Sequence, residues 1–282
     1  MSAGIGVREW RTRRRMSQME LAHQIGVSPR HLSFVETGRS NASRALLLRV
    51  GESLDLPLNA RNRLLLAGGY APAYGEHPLD AEKMRPVKAA IDAVLAGHAP
   101  YPAVVTDACW NLIAANVGCV VLVEGLDEAA AAELLRPPIN VMRLCLHPQG
   151  LSRRLLNPAE VHASILRRVR RAANATASSD IQRLYRELAG YRVPNPPEAG
   201  FAEAGELYVP FRIATLDGAE LQFVSTIATF GSPLDVCVEN LALESFFPAD
   251  TPTAEYLRGL DGERLRRVAD RNPQLLSYIS VS

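Results

Sequence analysis

The chain has no GxSxG, no HExxH, no phosphate-cradling glycine loop and no dinucleotide fingerprint. Those absences remove the motif-bearing hydrolases, zinc peptidases and nucleotide-dependent enzymes. Asp107, Cys145 and His147 form no interpretable catalytic set, so no enzyme is expected. Four cysteines are present, Cys109, Cys119, Cys145 and Cys237, with no CxxC among them and no His at zinc-ligand spacing. No metal site is expected. Each cysteine lies in an apolar stretch, which predicts buried free thiols, a redox-active pair being the alternative. No segment approaches the ~20 uninterrupted apolar residues of a membrane span. The N-terminus also lacks the apolar run of a signal peptide. A cytoplasmic protein that does not engage the membrane is the expectation.

What is present begins with an uneven charge. The chain has 282 residues and a formal net charge of only +1. Residues 1–70 carry eleven Arg, no Lys and five acids, a balance of +6; residues 71–282 carry twenty basic and twenty-five acidic residues, a balance of −5. A basic head on an acidic body puts the polyanion-binding surface at the N-terminus. The length predicts a second domain behind a head of about 65 residues.

Residues 17–38, SQMELAHQIGVSPRHLSFVETG, read as two short helices joined by a tight turn. Ser17 and Glu20 have the spacing of a capping box. Leu21, Ala22 and Ile25 fall on one face, and Gly26 breaks the helix where a positive φ is cheap. Ser28 can cap the next helix, with Pro29 in its first turn. Leu32 and Val35 point inward, which leaves Arg30, His31, Ser33 and Phe34 outside. Helices are also predicted over 5–14, 44–54 and 59–67, the last capped by Asn59. A short helix pinned on one face and free on the other can enter a major groove.

This segment resembles the helix-turn-helix of the phage lambda Cro/repressor type, also called the xenobiotic-response-element type. The carrying residues are Ser17-Gln18, Leu21-Ala22, Ile25-Gly26-Val27-Ser28, Leu32-Ser33 and Glu36-x-Gly38 followed by Arg39. The resemblance implies that Pro29, Arg30, His31, Ser33 and Phe34 face bases. Arg30 is the best candidate for a bidentate bond to guanine, and Phe34 for contact with a thymine methyl. It further implies that Gln18, Ser28, Thr37, Arg39, Ser40 and Asn41 serve the phosphate backbone. The resemblance also implies an ion pair of Arg11 with Glu36 close to a phosphate, and Arg13, Arg14 and Arg15 are expected to add non-specific attraction. The resemblance implies double-stranded DNA with a two-fold symmetric operator as the partner, and a homodimer is expected, with the body supplying the dimer contacts.

Domains are expected at 1–70 (helix-turn-helix), 71–97 (linker and connecting helix), 98–260 (ligand binding and dimerisation) and 261–282 (tail). Within the body, 103–107 and 110–116 read as strands, 116–136, 140–148, 157–174 and 178–190 as helices, and 193–205 as a Pro- and Gly-rich loop. The 157–174 helix is amphipathic and is expected to expose Arg167, Arg168, Arg170 and Arg171. The clearest β signal is 207–231, two Val/Ile/Phe/Thr-rich runs around Asp217-Gly218. A third strand is predicted over 234–248 and a last short helix over 252–260. The fold class is thus multidomain, α and α+β: a five-helix bundle, then a PAS-like antiparallel five-stranded sheet covered by helices.

The body also resembles the ligand-binding domain of the MmyB-like transcription regulators. The residues that carry this are Pro102-Ala103-Val104-Val105, Trp110-Asn111, Ala115-Asn116, Asn140-Val141-Met142-Arg143-Leu144, His147-Pro148 and Phe246-Phe247-Pro248-Ala249-Asp250. Such a sheet with a helical cover implies a cavity. The expected lining is Val105, Trp110, Ile113, Val121, Met142, Leu144, Leu146, Phe211, Ile213, Phe223 and Ile227. The implied effector is an apolar small molecule, a fatty acid or similar lipid, with Arg143, His147 or Arg212 as donor to its polar end. No cofactor is expected. The alternative is a DNA-binding regulator whose body is a ligand-free dimerisation or protein-contact module.

Overall fold

The computed structural model of the protein describes residues 2–176, 178–193, 208–260 and 262–279. They group into two compact units, Met1–Arg85 with Phe230–Asn240, and Pro86–Thr229 with Leu241–Ser282. The loop expected at 193–205 falls almost wholly outside the described residues.

The first unit is built on α1 (Ala3–Arg13), α2 (Gln18–Gln24), α3 (Pro29–Glu36), α4 (Arg44–Ser53) and α5 (Leu58–Ala67). Local chemistry starts most of them. The side chains of Ser17, Ser28 and Ser43 accept the N–H groups of Glu20, His31 and Leu46, and Glu20 returns the bond to complete the capping box. Gly26 sits at φ +67° in the turn between α2 and α3, a conformation that favours glycine. The inward residues of all five helices meet in one core around Val7, Leu21, Leu32, Val35, Leu47, Val50 and Leu65. Gly4 lets α1 press on the end of α3, since a Cβ there would lie 2.0 Å from the Val35 carbonyl oxygen.

The helix expected to be capped by Asn59 instead begins at Leu58, behind Pro57, and has no side-chain cap of its own at that end. The Leu58 N–H donates to the Glu239 carboxylate, 2.8 Å from Oε2 and 3.1 Å from Oε1. A residue 181 positions away thus satisfies an N-terminal donor that the local sequence leaves open. The stretch after α5 is held down as well. Asn62 accepts from the backbone of Ala73 and Tyr74 and donates to the Tyr74 carbonyl.

The second unit runs α6 (Arg85–His98), β1 (Ala103–Thr106), β2 (Leu112–Ala115), α7 (Val120–Val123), α8 (Glu128–Leu134), α9 (Val141–Leu146), α10 (Pro158–Thr176), α11 (Ser179–Ala189), β3 (Phe211–Ala214) and β4 (Glu220–Thr229). After α12 (Val236–Glu239), which groups with the first unit, come β5 (Ala242–Pro248), α13 (Thr251–Arg258) and α14 (Gly262–Arg271). The five strands form one antiparallel sheet, as expected, and their order is β2-β1-β5-β4-β3. Asp217-Gly218 makes the β3–β4 turn, closed by Thr215 and Ala219.

Two expectations change, and the tail, to which the sequence assigns no place, acquires one. The helix over 116–136 is broken between α7 and α8, where Gly125 takes φ +83° and Asp127 caps Ala130. The strand over 234–248 keeps only its second half. Asp235 Oδ1 accepts the Cys237 N–H at 2.9 Å and starts the turn of α12 instead. The tail is not idle: Val268 and Leu275 join the core of Val104, Leu112, Leu135 and Ile139, and the Tyr278 carbonyl accepts from Ala115 on β2.

All four cysteines are free. Burial raises every one of these thiols, Cys119 and Cys145 to about 12, so each stays protonated at neutral pH.

Candidate nucleic-acid interface and ligand cavity

The outward face of α3 is open. Pro29, Arg30 and His31 are exposed, Ser33 and Phe34 are half-buried, and Leu32, Val35 and Glu36 are buried behind them. Phe34 does more than offer an apolar contact. The Arg30 guanidinium lies 5.4 Å from its ring centroid and that of Arg39 lies 6.0 Å away. The ring is a platform that holds two cations on the surface. Thr37, Arg39 and Asn41 are exposed in the loop beyond, with Ser40 half-buried, and the Thr37 hydroxyl donates to the Ser33 carbonyl. The exposed Ser28 caps the helix through its hydroxyl.

A buried carboxylate fixes this face from behind. Arg11 Nε donates to Glu36 Oε1 at 2.7 Å and Nη2 to Oε2 at 2.9 Å, while Gln18 Nε2 reaches Oε2 at 2.6 Å. Arg11 Nη1 also takes the Met16 carbonyl. Burial of Glu36 would raise its pKa, but the bonds from Arg11 and Gln18 together outweigh it and hold it below the usual carboxylate value. Gln18 and Arg11 thereby tie α1, α2 and α3 into one rigid piece. Arg14 is not wholly spare: its Nη2 donates to the Asp55 carbonyl at 2.7 Å.

The second unit contains a cavity of about 200 Å³ between the sheet and its helices. Val104, Leu112 and Ala115 of the first hairpin line it, with Val120, Leu122, Val123, Ile139, Met142, Leu144 and Cys145. α10 contributes Val161, Ser164, Ile165 and Arg168, one helical face by their spacing. Phe211, Ser225, Glu244 and Phe246 come from the other strands, and Leu275, Tyr278 and Ile279 from the tail.

Of the residues expected to line it, Met142, Leu144 and Phe211 do. Val105 is buried but alternates to the opposite face of β1 from Val104. Trp110, at φ +60° in the β1–β2 turn, and Leu146 pack in the cluster of Met142 and Val169 rather than on the cavity wall. Val121, Ile213 and Phe223 are buried with Leu257 in a cluster that borders the cavity through Leu151 and Phe211 without lining it themselves. Ile113 is half-buried on β2, and Ile227 is 49% exposed.

The expected polar anchors are engaged elsewhere. Arg143 makes a two-pronged bond to Glu187, at 2.5 and 2.8 Å, which also accepts from Tyr191. The hydrogen bond from Arg143 is the main cause of a lowered Glu187 pKa. His147 packs edge-on against Tyr191 and accepts from the Gln149 N–H if Nδ1 is unprotonated. Arg212 lies on the exposed side with Glu220 at 3.5 Å. The cation on the cavity wall is Arg168, which the sequence places on an exposed basic helix face. Its Nη1 donates to Glu244 Oε2 at 2.9 Å, and its guanidinium stacks 5.8 Å from the Trp110 ring. The seven-residue spacing of Val161 and Arg168 on α10 puts both on one helical face and could have marked it, but pairing with Glu244, 76 residues on, is not a local property.

A helix-turn-helix with a free basic face, on the same chain as a sheet unit enclosing an apolar cavity, defines a class: DNA-binding regulators that carry a small-molecule domain. Comparison with protein families agrees. Residues 7–60 match the family model described as helix-turn-helix, and residues 87–260 match that of the MmyB-like transcription regulator ligand binding domain. The second match spans more than half of the chain, which therefore belongs to the MmyB-like family. It is a DNA-binding transcription regulator with a ligand-binding domain. No curated protein matches the chain. Among the described residues, no helix is long and apolar enough to cross a membrane.

Proposed function

We propose that this regulator reads a two-fold symmetric operator as a homodimer and is controlled by an apolar small molecule, a fatty acid or a related lipid of medium length, held in the second unit. It acts in the cytoplasm and is not a catalyst. The observation that carries this reading is the cavity itself, apolar over most of its wall and set against a helical cover. At about 200 Å³ it lies below the ~300–1,000 Å³ typical of drug-sized sites, which favours a slender ligand over a flat, bulky cofactor.

On the DNA side, Arg30 reads a guanine, with His31, Pro29, Ser33 and Phe34 beside it. Ser28, Thr37, Arg39, Ser40 and Asn41 serve phosphates, as do Arg11, Arg14 and Gln18. Half-sites fall about 34 Å apart or at a multiple of it. A ligand changes affinity only by favouring one arrangement of the protein over another. Two covalent routes lead from the cavity walls to the helix-turn-helix: α6, and the 230–240 segment that joins β4 to β5 and caps α5 through Glu239.

The test is operator affinity, by fluorescence anisotropy on a site selected from random duplexes, with and without medium-chain lipids. A change of about fivefold or more, within the ordinary range of coupling, supports the reading. Identical affinities, with lipid shown to be bound, would leave a regulator that the ligand does not control.

A further inference from the structure

We propose that the cavity selects an amphiphile whose head is uncharged and both donates and accepts hydrogen bonds, such as a primary amide or a hydroxyl, over the anion of a fatty acid. This rests on the ligand-sensing reading above and, within the lipids that reading admits, favours the uncharged ones over the fatty acid itself.

The polar part of the wall has a defined construction. On α10, Ser164 and Arg168 are one turn apart and both reach the cavity. Across from them, the β4–β5 register sets Ser225 opposite Phe246 and Ile227 opposite Glu244. Ser225 and Glu244 are therefore diagonal neighbours on one face of the sheet. The Arg168 and Glu244 side chains are only 26% and 15% exposed, and a single 2.9 Å bond, Nη1 to Oε2, joins them. Glu244 Oε1 and Arg168 Nε make no other hydrogen bond among the described residues. The pair is neutral as a whole, yet it presents an open acceptor beside open donors.

That arrangement discriminates by charge. A carboxylate arriving here gains from Arg168 and loses to Glu244 at comparable distances, so little net attraction remains to offset its lost hydration. A neutral amide or hydroxyl loses far less hydration. Its N–H or O–H can donate to Glu244 Oε1 while its oxygen accepts from Arg168. Had the cavity been built for an anion, a cation free of a carboxylate would stand at this place. The alkyl chain lies along the apolar remainder, and the cavity volume favours medium length over long.

The experiment is calorimetric titration of the full chain at neutral pH with decanamide, decanol and decanoate, the last below its micellar range. The amide and the alcohol are expected to bind at least tenfold more tightly than decanoate. Glu244→Gln, which removes the like charge and keeps the shape, should narrow that gap by raising decanoate affinity about tenfold. Should that variant not fold, the native comparison decides alone. Decanoate binding as tightly as decanamide to the native protein would overturn the head-group inference and leave the ligand reading intact. Binding of none of the three would count against the ligand reading itself.

Discussion

The two units of this chain place their candidate sites in opposite ways. On the helix-turn-helix, most of the candidate DNA-facing residues lie within one short run, Ser28 to Asn41, and a core of Leu21, Leu32, Val35 and Leu47 supports them. In the sheet unit the cavity collects residues from Val104 to Ile279, and no stretch contributes more than a few. The first site is an exposed face on a filled core; the second is a place where the core is left unfilled. Substitutions behind the first should therefore act through lost packing and lost pairing. Substitutions around the second should be cheaper in stability and visible mainly in ligand binding.

The largest effect should come from the buried ion pair. Glu36→Ala strands the Arg11 guanidinium, and removal of one partner of a buried pair costs about 3–5 kcal/mol. Hydrogen exchange of α1–α3 amides, which reports local opening, checks this; unchanged protection would mean that the pair does not hold the face. Glu36 has its pKa lowered, so its contribution is present above the unfolded value near 4.3 and is lost as pH falls through the lower folded value.

Next comes the contrast in packing. Leu32→Ala, at a fully buried site, should cost about 2–5 kcal/mol. Ile165→Ala, whose side chain already borders empty space, should fall at or below the low end of that range. Chemical denaturation compares them, and equal costs would indicate that the cavity is closed in solution.

A third difference is in acid response. His162 of α10 is buried, with Nε2 unpartnered in the described structure. Burial lowers its pKa, against a backbone hydrogen bond with Leu188 that works the other way. The folded state thus prefers the neutral ring. That preference stabilises the sheet unit above the unfolded value near 6.5 and is lost as pH falls through the lower folded pKa. Hydrogen exchange should show the sheet unit weakening on acidification before Glu36 is affected, and His162→Gln should remove the early phase. The smallest effect is Ser28→Ala, about 1 kcal/mol from a lost cap, read as fraying of the first turn of α3.

How much of this was legible in the sequence follows the same division. The capping box at Ser17, the turn at Gly26, the cap at Ser28 and the Arg11–Glu36 pair all stand as the motif implies, because the forces are local or belong to the recognised motif. The five-stranded antiparallel sheet and the Asp217-Gly218 turn were legible as well. What was not legible depends on partners distant in the chain. Glu239 caps α5 from 181 residues away, so Asn59 was the natural wrong choice. Asp235 converts half a predicted strand into a helical turn through a single side-chain bond. Arg168 reads as one of several solvated arginines until Glu244 and Trp110 fix it on the cavity wall. Apolar residues looked alike in the sequence, yet Val105 and Val104 differ by the face of one strand, and only the latter meets the cavity.

The claim on which the rest depends is that the outer face of α3 reads base sequence. The direct measurement is the ratio of affinities of Arg30→Ala and native protein for a selected site and for scrambled duplex, at one fixed salt concentration. A lost bidentate contact to guanine predicts a fall in that ratio worth about 1–3 kcal/mol, roughly 5- to 150-fold, with non-specific affinity much less changed. A folded Arg30→Ala protein that keeps the native ratio would contradict the account.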